Sequence, residues 1–239
     1  MAQQPLIELG GAPNAPTLHL ALANGFVAQT YLPLLRYLTD TYHAVCLPPR
    51  ALWGDLEPPD LTPETHDWRQ LADDLLAGFD QYALNDLVAI GHSFGGIATM
   101  LAAIRQPERF KAMIFLDPTL LDPEILGWMR QAQAAGQADE QPLAQIALRR
   151  SRDFDSVEAV YERFRSKKVF AQWPDETVRL YAEYGTVPHQ DKRRLAWSPE
   201  WEAFYYSTGY TEMWDDVPKL SSLDVPMLFL NGGDSDTFI

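Results

Sequence analysis

Short apolar runs along this chain alternate with stretches whose apolar positions recur every three or four residues. Residues 17–23, Thr-Leu-His-Leu-Ala-Leu-Ala, read as a buried strand that stops at Asn24-Gly25. Residues 31–40 follow as a short helix, whose Pro33 is tolerated only within the first turn. A second strand over 42–47 is stopped by Pro48-Pro49. Over 64–82, Trp68, Leu71, Leu75, Leu76 and Phe79 fall on one helical face. Residues 86–90 are a strand, 95–105 a helix of small and apolar residues, and 111–116 and 225–230 two further strands. Strand and helix in alternation predict an α/β fold: a mainly parallel sheet with helices on both faces.

The rhythm breaks between Asp117 and Leu223. No buried strand stands out there, and helical patterns occupy 123–135, 142–150, 156–167 and 175–184. Aromatic residues are dense, among them Tyr161, Phe164, Phe170, Trp173, Tyr181 and Trp197. The interval is too long for a loop inside a compact domain. It reads as a helical insertion over one end of the sheet. For any single aromatic, packing within the insertion's own small core is the plain expectation.

Composition narrows the class. At 239 residues, the chain suits one domain, or one domain carrying an insertion. A hydrophobic fraction of 46% with 22% charged residues excludes a disordered or fibrous chain. A formal net charge of −14 makes nucleic acid an unexpected partner. The lone Cys46 excludes an internal disulfide and a zinc cluster of the cysteine type, so no metal is expected. No apolar run approaches the ~18 residues that span a bilayer, and no basic segment precedes an apolar run at the start. No membrane association is expected, and the expected compartment is the cytoplasm.

The chemistry concentrates at Gly91-His92-Ser93-Phe94-Gly95-Gly96. This is a G-x-S-x-G pattern directly after a strand and directly before a helix, the arrangement expected of a nucleophile elbow. The chain must reverse there in little space, and flanking glycines remove the side chains that would clash. Ser93 is expected in a strained conformation with its hydroxyl presented at the strand's carboxyl end. The helix N-terminus aims partial positive charge at the same place, and the Phe94 backbone N–H is expected to donate to an oxyanion. The turn Asn24-Gly25-Phe26 follows an earlier strand on the same sheet edge, so the Phe26 N–H is the second expected donor. A structural glycine turn is the plain alternative at both places.

These pieces, with the Pro48-Pro49-Arg50 loop and Leu116-Asp117-Pro118, resemble the α/β-hydrolase fold superfamily. The resemblance is to its lidded, lipase- and esterase-like branch, in which a helical cap follows the sixth strand. It implies a core at 1–117 and 224–239 and a cap, with its connection back to the core, at 118–223. Asn24 stands where family members usually carry His, which bears on loop packing and not on the N–H donor. The resemblance also implies an acid after the seventh strand, in Asn231-Gly-Gly-Asp-Ser-Asp-Thr-Phe238. Asp236 is the first choice. Asp234 and Asp117 are the alternatives, with turn capping or helix capping as their ordinary roles.

The family's base is a histidine beyond a final strand. The five histidines here are His19, His43, His66, His92 and His189, and none falls at that place. Without a base a serine hydroxyl is a poor nucleophile. The expectation is therefore that the base lies past Ile239, in a last strand and helix that this chain lacks, and that the chain alone is inactive. The resemblance implies a serine hydrolase acting without cofactor on an ester or related acyl bond of a small molecule. The aromatic insertion points to an apolar acyl or alcohol group. Ser93 argues against haloalkane dehalogenases and epoxide hydrolases, which use Asp at this turn. A non-hydrolytic relative such as a hydroxynitrile lyase, or a silent small-ligand binding protein on the same fold, are the competing readings.

Overall fold

The computed structural model describes residues 4–54, 56–60 and 67–235. A first strand that the apolar pattern did not announce, β1 (Ile7–Gly10), is followed by β2 (Thr17–Ala21), α1 (Leu32–Leu35) and β3 (His43–Cys46). Then come α2 (Arg69–Gln81), β4 (Leu87–His92), α3 (Phe94–Arg105) and β5 (Phe110–Leu116). The long connection carries α4 (Pro123–Ala134), α5 (Pro142–Leu148), β6 (Asp153–Phe154), α6 (Val157–Arg165) and α7 (Asp175–Tyr184). It continues through β7 (Thr186–His189), β8 (Lys192–Leu195), α8 (Pro199–Ser207) and α9 (Met213–Asp216) to β9 (Met227–Leu230). The connection leaves from β5, the fifth strand described, where the family count makes it the sixth.

The main sheet runs β1-β3-β2-β4-β5-β9, with β1 antiparallel to β3 and every other pair parallel. The expected α/β architecture is therefore present, and helices flank the sheet. In register, Leu18 of β2 lies between Ala44 of β3 and Val88 of β4. The central strands read as apolar runs because both of their faces are covered; Leu18, Leu20, Leu87 and Ala89 are all fully buried. The predicted face of α2 packs on α3, with Leu71, Leu75 and Phe79 inside. Burial of each such large side chain contributes roughly 1.5–3 kcal/mol. The helix begins at Arg69; the part of the expected pattern at 64–66 lies outside the described residues. The helix expected over 31–40 is α-helical only at Leu32–Leu35, preceded by a 3-10 turn at Ala28–Tyr31, and Pro33 does sit in the first turn.

One expectation about the insertion needs correction. It is not all helical: β6, β8 and β7 form a three-stranded antiparallel sheet. The pattern hid it because these strands are short and polar. Lys192, Arg193 and Arg194 occupy β8, and polar pairing holds the sheet together. Arg194 bonds both carboxylate oxygens of Asp153 at 2.7 and 3.0 Å, and Arg193 Nε donates to Thr186 Oγ1 at 3.1 Å. Gln190, at φ +54°, turns the β7–β8 hairpin.

Two apolar clusters matter for the site. The larger runs through the sheet and includes Trp197, Trp201, Tyr205 and Met213 from the insertion. A second, made of Val160, Phe164, Phe170, Val178, Tyr181 and Leu195, belongs to the insertion, and Phe26 from the loop after β2 packs against it. Among the described residues no helix is long and apolar enough to cross a membrane.

Candidate active site

Ser93 is the residue between β4 and α3, at φ 54° and ψ −124°. That backbone conformation is costly for a residue with a side chain and persists only where the surroundings fix it. Here its N–H donates to Leu116 O at 3.0 Å, and its own carbonyl accepts from Gly96 N–H at 2.9 Å. The glycines are sterically required. A Cβ on Gly95 would stand 2.4 Å from Leu22 O, and one on Gly91 would stand 2.7 Å from Gly96 Cα. Ser93 itself stays half-buried, and its Oγ lies 2.9 Å from Thr119 Oγ1. Phe94 opens α3, where the first N–H groups have no intrahelical acceptor. Its ring is buried against Tyr205 at 5.2 Å and Trp68 at 5.7 Å.

The loop after β2 forms the expected turn, with Gly25 at φ +80°. The Phe26 N–H donates to Ala23 O at 3.2 Å, closing the turn. Asn24, at the family's histidine position, is buried and ties the turn to the insertion: its Nδ2 donates to the Glu202 carbonyl at 3.1 Å.

Of the three candidate acids, Asp236 lies outside the described residues. Asp234 is exposed. Asp117 follows β5 at φ +45° and accepts from Ser235 Oγ at 2.8 Å and from Gly232 N–H at 3.4 Å. Asp117 therefore grips the loop that runs on toward Asp236.

The described histidines each have other duties. His19 is fully buried in β2, accepts from Leu47 N–H at 3.3 Å, and burial lowers its pKa to about 3. His43 pairs with Glu8, and His189 lies in register with Lys192 at the β7–β8 hairpin. His92 Nδ1 lies 2.7 Å from the Tyr31 hydroxyl, away from the Ser93 hydroxyl's own partner. Tyr31 OH also accepts from Ala23 N–H at 3.1 Å. Burial raises the Tyr31 pKa, and burial lowers that of His92 against the opposing pull of Asp117. Both shifts favour a neutral phenol hydrogen-bonded to a neutral imidazole. His66 lies outside the described residues.

Thr119, Tyr31 and the group Arg150, Tyr181 and Glu202 stand at the site without having been singled out in the sequence. Thr119 follows Leu116-Asp117-Pro118 closely enough for that motif to have pointed to it. The others meet the site only through folding.

Comparison with known proteins places this geometry. The sequence profile of the alpha/beta hydrolase family matches residues 20–237. A 3-oxoadipate enol-lactonase of Acinetobacter baylyi is 26% identical over 140 residues, covering 59% of this chain and 51% of that protein. The matched part thus spans about half the length of that relative. Among solved structures, E-2-(acetamidomethylene)succinate hydrolase superposes with a TM-score of 0.65 at 17% identity, covering 95% of this chain and 86% of the other. The thioesterase domain from the curacin biosynthetic pathway gives 0.63 at 18% identity, covering 97% and 79%. At these identities the structural likeness speaks for the fold, while the profile match extends from β2 through the elbow to the loop after β9. The chain belongs to the alpha/beta hydrolase family.

Proposed function

We propose that this protein is a serine hydrolase of an ester or related acyl bond in a small molecule. The observation that carries the reading is Ser93, held in a strained conformation at a strand-to-helix turn with its hydroxyl at a helix N-terminus. Ser93 Oγ attacks the carbonyl carbon and its proton passes to a histidine base. The resulting oxyanion takes hydrogen bonds from the Phe94 and Phe26 N–H groups. Collapse expels the alcohol, which receives the proton, and leaves an acyl-serine that water then cleaves. Asp236 is the proposed orienting acid, on the loop that Asp117 grips through Ser235 and Gly232. The base is the histidine that the family resemblance places beyond a final strand. The names of two similar proteins, an enol-lactonase and a thioesterase, speak of acyl bonds of this kind. The aromatic cluster around Phe26 favours an apolar acyl or alcohol group.

A second reading is supported by the Ser93 hydroxyl lying against Thr119, with no described histidine hydrogen-bonded to it. On that reading the chain binds a small ligand without turning it over. Labelling with a fluorophosphonate probe and hydrolysis of p-nitrophenyl acetate separate the two. A hydrolase labels at Ser93, and Ser93→Ala abolishes labelling and costs about 10⁴-fold or more in turnover. Asp236→Asn is expected to cost more than Asp117→Asn. With the histidine base present in the protein tested, a parent that labels no faster than Ser93→Ala sinks the hydrolase reading.

A further inference from the structure

The turn that carries the Phe26 N–H is held from the far side by three residues of the 118–223 segment. The Tyr181 hydroxyl donates to the Gly25 carbonyl at 3.2 Å. Arg150 Nη2 donates to the same hydroxyl at 2.7 Å, and Arg150 Nη1 is ion-paired with Glu202. The Glu202 carbonyl in turn accepts from Asn24 Nδ2. The Arg150 and Glu202 side chains are only 19% and 12% exposed, so the pair works largely out of water. The fit over the turn is close: a Cβ on Gly25 would lie 3.2 Å from Glu202 Cδ. The Phe26 ring is seated in the same cluster, stacked on Trp173 at 5.3 Å and edge-on to Tyr181 at 5.7 Å.

The Gly25 carbonyl and the Phe26 N–H belong to one planar trans peptide, so they point in opposite directions. Whatever fixes the carbonyl fixes the aim of the N–H, which here closes the turn on Ala23 O at 3.2 Å and would share that bond with an oxyanion. Glycine leaves that plane free to rotate, and an external bond must hold it. A donor on the carbonyl oxygen also polarises the amide, which makes its N–H a stronger donor. Here the donor is itself strengthened by a charged guanidinium.

We propose that Tyr181, backed by Arg150 and Glu202, is a positioning residue that aims and polarises the Phe26 N–H toward the oxyanion. This inference rests on the reading of Ser93 as a nucleophile and of Phe26 as an oxyanion donor. It makes the insertion a working part of the catalytic centre, through a hydroxyl that itself need not touch substrate. Ordinary burial of a satisfied tyrosine would require the same two hydrogen bonds but would leave turnover alone once the protein is folded.

The test uses the full chain and four variants: Tyr181→Phe, Arg150→Lys, Ser93→Ala, and Val178→Ala as a control for packing in the same cluster. Tyr181→Phe removes the hydroxyl and keeps the ring. It is expected to lower kcat on p-nitrophenyl acetate by about 3–10-fold with KM nearly unchanged, short of the 10²–10³ that follows loss of a whole donor. Arg150→Lys should fall between parent and Tyr181→Phe. Val178→Ala should lower the melting temperature and spare kcat. In ¹⁵N-phenylalanine-labelled protein, the Phe26 amide proton should move upfield in Tyr181→Phe. An unchanged kcat in folded Tyr181→Phe, or an equal fall in Val178→Ala, overturns the proposal. If parent and Ser93→Ala are equally inert with the histidine base present, the hydrolase reading fails by itself. The Phe26 amide then decides the clasp, which is lost if that signal does not move.

Discussion

The Tyr31 hydroxyl joins two strand ends: it accepts the Ala23 N–H at 3.1 Å and is hydrogen-bonded to His92 Nδ1 at 2.7 Å. Ala23 leads into the turn that carries Phe26, and His92 immediately precedes Ser93. One buried phenol thus sets the spacing between the two proposed oxyanion donors.

Removing that hydroxyl alone, in Tyr31→Phe, strands a buried backbone N–H and a buried imidazole nitrogen. Leaving such groups unsatisfied costs about 1–3 kcal/mol each. A drop in melting temperature of several degrees is expected for a chain of this size. Scanning calorimetry of parent and variant measures it, and equal melting temperatures would show that water replaces the phenol at no cost.

Acid should destabilise the fold through His19. Its folded pKa, about 3, lies below the ordinary value of 6.5 because burial disfavours the charged ring. Above pH 6.5 neither folded nor unfolded chain protonates this group, so stability is independent of it. As pH falls from 6.5 toward 3, the unfolded chain takes up a proton that the folded one refuses. Stability is lost across that window, on the order of 4 kcal/mol in full. The lowered pKa of His92 acts in the same direction. Urea titrations at pH 7 and pH 4 should show a steeper loss in the parent than in His19→Gln, which keeps an acceptor for Leu47 N–H. Parallel losses would contradict the assignment.

Two glycine substitutions should go opposite ways. Gly95→Ala places a methyl 2.4 Å from Leu22 O and 2.6 Å from Ala21 O, so α3 and β2 must part. Overpacking of this kind costs typically 1–3 kcal/mol, occasionally more. Gly127, inside α4, has nothing within 4 Å of its added Cβ, and alanine there should stabilise by about 0.4–1 kcal/mol. Denaturation midpoints decide both, and a neutral Gly95→Ala would undo the account of the elbow.

Where local pattern carried the information, the sequence was legible. The buried parallel strands, α2 and the elbow follow from apolar period and from glycine spacing around Ser93. β1 was missed because four residues ending in Gly10-Gly11 give too little alternation to read. The small sheet was missed because its residues are polar and held by arginines. Ser93 and the Phe26 turn were legible because strained turns demand glycine. Tyr31, Arg150, Tyr181 and Glu202 were not, because tyrosines and ion pairs occur everywhere and the contacts that tie these to the site include ones 61, 52 and 156 positions away.

The ring of Phe94, next to Ser93, is packed by Tyr205 and Trp197 of the 118–223 segment as well as by Trp68. That sharing bears on how such a protein can be recombined. A segment exchanged with another family member at the borders 118 and 223 would bring foreign side chains onto a wall of the elbow. The graft would have to carry its own match for Phe94, or retain Trp197–Tyr205 from the recipient. Chimaeras should therefore fold with crossovers placed before Trp197 and fail with crossovers placed after Tyr205.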